Sequence, residues 1–209
     1  MKKEAILIGG GETFRDIEHA KEYFKNKEID VVWGDKFWHA WLMWSLEPKY
    51  LFFKPKMPCS DNAHYELWKI IFEKYLNKIT QSEIDVVCHS LGTIFLMKYL
   101  VENGFKNANG NIKIKNLHLV APIVDNKFQP ANDVEDCGTF TFDISKVSEI
   151  KKYCENIHIW HSTDDTMCRY ANTEYLLEQI LESILHKFEN RSHFLDTTFW
   201  ELFEEMRKD

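Results

Sequence analysis

The sequence is short of features that would place it outside the ordinary globular proteins. Its five cysteines are odd in number and scattered, with no C-x-x-C pair, which excludes a disulfide framework and fits reduced thiols. Cys154, His158, His161 and Cys168 fall close together in sequence, but their spacing matches no zinc pattern. No metal or other cofactor is expected. No apolar run approaches the roughly 18 residues that span a bilayer. The start, "MKKEAILIGGG", reaches three glycines after a short apolar stretch, whereas a secretory core needs roughly 7–15 apolar residues. A soluble, cytoplasmic protein with no membrane partner is the expectation. Positive charge is also in deficit: the net charge of −7 argues against nucleic acid, which needs a basic surface. Glycine and proline are sparse, at 8 and 5 residues. No internal repeat, low-complexity tract or linker divides the chain, so a single domain over residues 1–209 is expected.

Alternation of short apolar strands with amphipathic helices fills the frame. Strands are expected at Ala5–Ile8, Tyr50–Phe53, Ile84–Cys88, Asn116–Val124, Asn156–Ser162 and Leu185–Phe188. Between them, helical spacing predicts helices from about Phe14 to Lys25 (capped by Thr13), His64 to Asn77, Gly92 to Glu102 and Tyr170 to Leu185. A short helix is expected around "SKVSEIKKYCEN". Such alternation implies an α/β fold, with a mostly parallel sheet of five to six strands and helices on both faces.

In open parallel sheets, ligands bind beyond the carboxyl ends of the strands. Gly9-Gly10-Gly11-Glu12 follows the first strand, and His89-Ser90-Leu91-Gly92 the third. His161-Ser162-Thr163-Asp164-Asp165 follows the fifth, and Ser192-His193-Phe194 the sixth. At "IDVVCHSLGTIF" the apolar period changes from 2 to 3.6 within four residues, with Ser90 at the change. An ordinary βα turn containing serine would do this. So would a nucleophile elbow, in which a sharp turn lifts a serine above the sheet. Only the second also accounts for an acid and then a histidine at the two later strand ends. Serine needs a base to take its proton, and the base needs a carboxylate to fix its tautomer. His193 is the base, with Asp165 or Asp164 as the acid. The glycine run lacks the G-x-G-x-x-G spacing of a dinucleotide site. His89 and His161 read as structural, and Glu12 would bring negative charge near the pocket.

These segments resemble those of the α/β-hydrolases. "CHSLG" resembles the elbow G-x-S-x-G, "HSTDDTMCR" the acid loop H-G-x-x-D-x-x-V-P, and "RSHF" the G-H-F of the histidine loop. With the short chain and "KPKMPCSDNAHYELWKIIFEKYL" ahead of the elbow, the sequence is similar to the small serine hydrolases of the retinoblastoma-binding protein 9 and YdeN type. The resemblance implies a single-domain hydrolase fold without a large lid. It implies cleavage of a small-molecule ester through an acyl-enzyme formed by Ser90, Asp165 and His193. The spacing of its acid loop selects Asp165 over Asp164. The oxyanion would rest on the backbone N–H groups of Leu91 and Gly11. The sequence departs from the pattern at Cys88, Thr93, Ser192, Cys168-Arg169 and Gly9.

One stretch remains over. Trp33, Phe37, Trp38, Trp41, Trp44, Tyr50, Phe52 and Phe53 supply more aromatic rings than a core needs. Most of them belong to the core, Trp41 and Trp44 on one helical face and Phe52 in a strand; the surplus walls a small apolar acyl pocket, or forms a patch for a protein partner. The second would make the chain a weak or inactive hydrolase scaffold acting as an interaction module.

Overall fold

The computed structural model describes residues 2–26, 38–128 and 137–208. Six strands form one parallel sheet in the order β2-β1-β3-β6-β7-β8. They are β1 (Lys3–Ile8), β2 (Tyr50–Phe53), β3 (Glu83–His89), β6 (Lys113–Val120), β7 (Cys154–Ser162) and β8 (Ile184–Phe188). A two-residue hairpin, β4 (Lys106–Asn107) with β5 (Gly110–Asn111), lies outside the sheet. β1 and β3 are buried almost throughout, as parallel strands covered on both faces must be.

The helices are α1 (Ile17–Asn26), α2 (Trp38–Ser45), α3 (Tyr65–Leu76), α4 (Leu91–Asn103), α5 (Ala171–Gln179) and α6 (Trp200–Lys208). From β1 the chain steps outward to β2, then crosses back to β3 and advances to β8. Right-handed crossovers therefore put α1 and α2, between β1 and β2, on one face and α3, α4 and α5 on the other. The reversal makes β1 and β3 neighbours, with Ile8 opposite Cys88. A crevice opens at such a switch point, and here it brings the glycine run against Ser90.

Most expected elements are present with boundaries moved by a few residues, and one differs in kind. Helix α1 starts at Ile17, and its cap is Asp16, whose carboxylate accepts from the His19 N–H at 2.8 Å; Thr13 is buried instead. β6 stops at Val120 because Ala121 turns to φ 46° ahead of Pro122. Helix α5 ends at Gln179, not Leu185, since Ile180 leaves the helical region and Ile184 already belongs to β8. Residues Ile144–Lys152 form a 3₁₀ helix.

Candidate active site

Ser90 stands between β3 and α4 at φ 55°, ψ −127°, a conformation that costs a non-glycine residue about 1–3 kcal/mol. Its neighbours hold it there. The Ser90 N–H donates to the Val120 carbonyl at 3.0 Å. The Thr93 hydroxyl donates to the Ser90 carbonyl at 2.6 Å and accepts from the Ile123 N–H at 2.9 Å. Thr93 thus ties the elbow to the β6 exit, which explains a hydroxyl where a further glycine is common. Gly92 has no substitute: a Cβ there would lie 2.7 Å from the Gly9 carbonyl oxygen and 2.8 Å from that of Ile8. Cys88 takes no positive φ, so the turn needs no glycine at that position.

The acid loop distinguishes its two aspartates. Asp165 Oδ2 accepts from His193 Nδ1 at 2.9 Å, and Oδ1 accepts from the N–H groups of Met167 and Cys168, both at 2.9 Å. Burial resists ionisation of Asp165. His161, whose Nε2 lies 3.5 Å from Oδ2, and the His193 hydrogen bond outweigh it and hold the carboxyl far below the usual carboxylate range. Asp164 accepts instead from the Ser162 hydroxyl and from the Ser192 N–H at 3.0 Å. It secures the histidine loop, where Ser192 and Phe194 sit at φ 44° and 54°, rather than the imidazole.

His193 is buried and donates from Nδ1, which leaves the Nε2 lone pair toward the cleft. His89 Nε2 donates to the His193 carbonyl at 3.0 Å. Burial and the neighbouring His193 push the His89 pKa down to about 3, so it stays neutral. His161 donates from Nε2 to the Cys168 carbonyl at 2.9 Å and accepts at Nδ1 from the Thr173 hydroxyl at 2.6 Å. Both histidines fix loops. Among the described residues, Ser90 Oγ makes no hydrogen bond to His193; the two share the wall of one cleft.

That cleft has a volume of about 550 Å³, and the glycine run, Ser90, His193, Met167 and Leu195 line it. A Cβ on Gly10 would lie 3.0 Å from Ser90 Cβ and 3.4 Å from Ser90 Oγ. A Cβ on Gly11 would lie 2.7 Å from the Ser60 carbonyl oxygen and 3.3 Å from Leu91 Cδ2. The run therefore passes directly over the elbow, with Gly11 beside Leu91. Glu12 also lines the cleft and accepts from the Tyr23 hydroxyl at 2.7 Å.

The aromatic stretch is placed differently from the acyl-pocket expectation. Trp33 and Phe37 lie outside the described residues. Trp38 is fully buried, and its indole N–H donates to the Phe194 carbonyl at 3.1 Å. Trp41 packs on Trp200 and Phe203 of α6, while Trp44 is 84% exposed. None of these three lines the cleft; α2 contributes His39 instead, a residue that no motif in the sequence announces. Lys54 and Lys56, from the segment after β2, are further wall residues that sequence reasoning missed.

A family model described as serine hydrolase matches residues 33–208. No match to a curated protein sequence is found. Among solved structures, the ydeN gene product from B. subtilis is similar with a TM-score of 0.69 at 17% identity, over 99% of this chain and 98% of that one. Est1E from Butyrivibrio proteoclasticus, solved with bound ferulic acid, is similar at 0.61 and 14%, over 99% and 87%. A monoacylglycerol lipase from Paleococcus ferrophilus gives 0.61 and 11%, over 98% and 92%. These likenesses extend over the whole sheet and its helices, and they make the fold that of an α/β-hydrolase. With most of its length matched, the chain belongs to the serine hydrolase family.

Proposed function

We propose that the protein hydrolyses small carboxylic esters through an acyl-enzyme on Ser90. The observation that carries this reading is the buried Asp165–His193 hydrogen bond, with His193 and the strained Ser90 facing one cleft. Ser90 Oγ attacks the ester carbonyl while its proton passes to His193 Nε2, and ionised Asp165 stabilises the imidazolium. The N–H groups of Leu91 and Gly11 receive the oxyanion; elsewhere, loss of one such donor costs roughly 10²–10³ in kcat. Protonated His193 then releases the alcohol. Water, deprotonated by the same nitrogen, cleaves the acyl-enzyme.

Short acyl groups suit the cleft. Its apolar lining is short, made by Pro55, Met57, Met167 and Leu195 among polar and charged residues, and each further CH₂ contributes about 0.8 kcal/mol only while it can be buried. Hydrolysis of p-nitrophenyl esters tests the reading: kcat/KM should peak between acetate and butyrate and fall by octanoate, with a burst of one p-nitrophenol per chain. A preference for long-chain esters would refute the short-acyl assignment. The alternative, an inactive scaffold, draws on exposed Trp44 and Trp200 beside Trp41; it predicts no burst with any ester.

A further inference from the structure

The Asp165 carboxylate, the Cys168 thiol and an imidazole nitrogen of His193 lie within 4.8 Å of one another, and all three residues are buried. Among the described residues, no other His, Cys, Asp or Glu group of three or more gathers its donor atoms in this way. Sequence spacing gave no hint of it. Cys168 follows Asp165 by three positions, but His193 is 28 residues away from Asp165 and arrives only because two loops meet. The nearby run of Cys154, His158, His161 and Cys168 does not assemble.

We propose that this acid–thiol–imidazole set is a capture site for Zn²⁺ that switches hydrolysis off. A mixed set of one carboxylate, one thiolate and one imidazole suits Zn²⁺, and three protein ligands leave a fourth position for water. Asp165 Oδ1 is committed to two backbone N–H groups, so Oδ2, which accepts from His193 Nδ1, is the oxygen to bind once that proton has moved. The second set of contacts is also in place: His161 donates to the Cys168 carbonyl and so steadies the loop that carries two of the ligands. His193 and Met167, the residue before Cys168, both line the cleft, so the site lies directly behind the cleft wall.

The protons balance simply. Zn²⁺ takes the Nδ1 lone pair of His193, so the proton on that nitrogen moves to Nε2 and stays on the ring. The Cys168 thiol loses its proton to solvent as the Zn–S bond forms. One ion enters and one proton leaves. His193 then carries hydrogen on the nitrogen that must accept the Ser90 proton, and the hydroxyl has no base. This inhibitory consequence rests on the function proposed above; the binding itself does not.

Titration of the metal-free protein with Zn²⁺, and separately with Co²⁺ as a spectroscopic probe, tests the site. About one ion should bind per chain, as for a single three-ligand site. The Co²⁺ form should show thiolate-to-metal charge-transfer absorption. Cys168→Ser should abolish that absorption and weaken Zn²⁺ by roughly a hundredfold or more, since even outer contacts are worth 10–100-fold. Cys59→Ser, which removes an exposed thiol, should leave both unchanged. Each protein's hydrolysis is compared with its own metal-free rate: Zn²⁺ should suppress wild type by about tenfold or more, with recovery on adding chelator, and should spare Cys168→Ser. A Co²⁺ complex of wild type without thiolate absorption overturns the proposal even if Cys168→Ser fails to fold. Unchanged Zn²⁺ affinity in a folded Cys168→Ser overturns it as well. Metal binding with thiolate absorption but no hydrolysis would refute the ester hydrolase reading and leave the site standing.

Discussion

At the scale of single residues, the two neighbouring aspartates do separate work, and substitution should tell them apart. Asp165→Asn keeps the shape of the side chain but lets His193 adopt the wrong tautomer, and turnover should fall by about 10⁴. Asp164→Asn retains an oxygen that can accept from the Ser192 N–H, so its kcat/KM should stay within about tenfold of wild type. Steady-state kinetics of the two variants, with thermal unfolding to confirm the fold, checks the pair; reversed effects would move the acid to Asp164. Glycines offer a similar contrast. Gly10→Ala places a methyl against Ser90 Cβ and Oγ and should cut activity with little change in stability. In Gly92→Ala the methyl meets two backbone carbonyls, which cannot move aside as a side chain can. That variant should lose about 1–3 kcal/mol or more of stability.

At the scale of elements, α2 is a support for the histidine loop. Trp38 donates to the Phe194 carbonyl, and its backbone N–H donates to the Asp196 carbonyl at 3.0 Å. Trp38→Ala should therefore cost about 3–5 kcal/mol, the usual price of a buried tryptophan. It should lower kcat without moving the acyl-length optimum; a shifted optimum would return Trp38 to the pocket wall. Little of this was legible beforehand. Strand ends carry the site, and each of Ser90, Asp165 and His193 could be found because a change of period marks where its strand stops. His39 and Trp38 act through a helix whose apolar residues surround it on most sides, so no period reveals which face meets the loop. Helix α6 escaped notice because its nine residues bury only Leu202, Phe203 and Met206, too brief a stripe to stand out. In α5 the apolar spacing ran on through Ile180 and Leu181, although the chain had to turn back there to reach β8.

At the scale of the molecule, the sheet and its loops enclose neutral imidazoles, and stability should depend on pH accordingly. Burial lowers the pKa of His89 to about 3 and that of His186 to about 4; it also lowers those of His39 and His118 well below the usual value. Below about pH 6.5 the unfolded chain takes up protons that the folded one refuses, so stability falls as pH falls, until the folded values are reached. His89 alone accounts for about 2 kcal/mol between pH 7 and 5. Asp165, whose pKa is depressed, keeps its contribution through this window and loses it only in stronger acid. Calorimetry should show Tm lower by at least about 4 °C at pH 5 than at pH 7; a flat profile would mean that these rings are solvated.

The same topology, with β1 and β3 adjacent at the switch point, supports the central claim that Ser90 is an activated nucleophile. The most direct measurement is reaction of the folded protein with a fluorophosphonate probe, with the modified residue mapped by mass spectrometry. Ser90 should be the residue labelled, and labelling should be lost in His193→Ala and on unfolding. A folded protein that takes no label, or that is labelled only at another serine, would contradict the account.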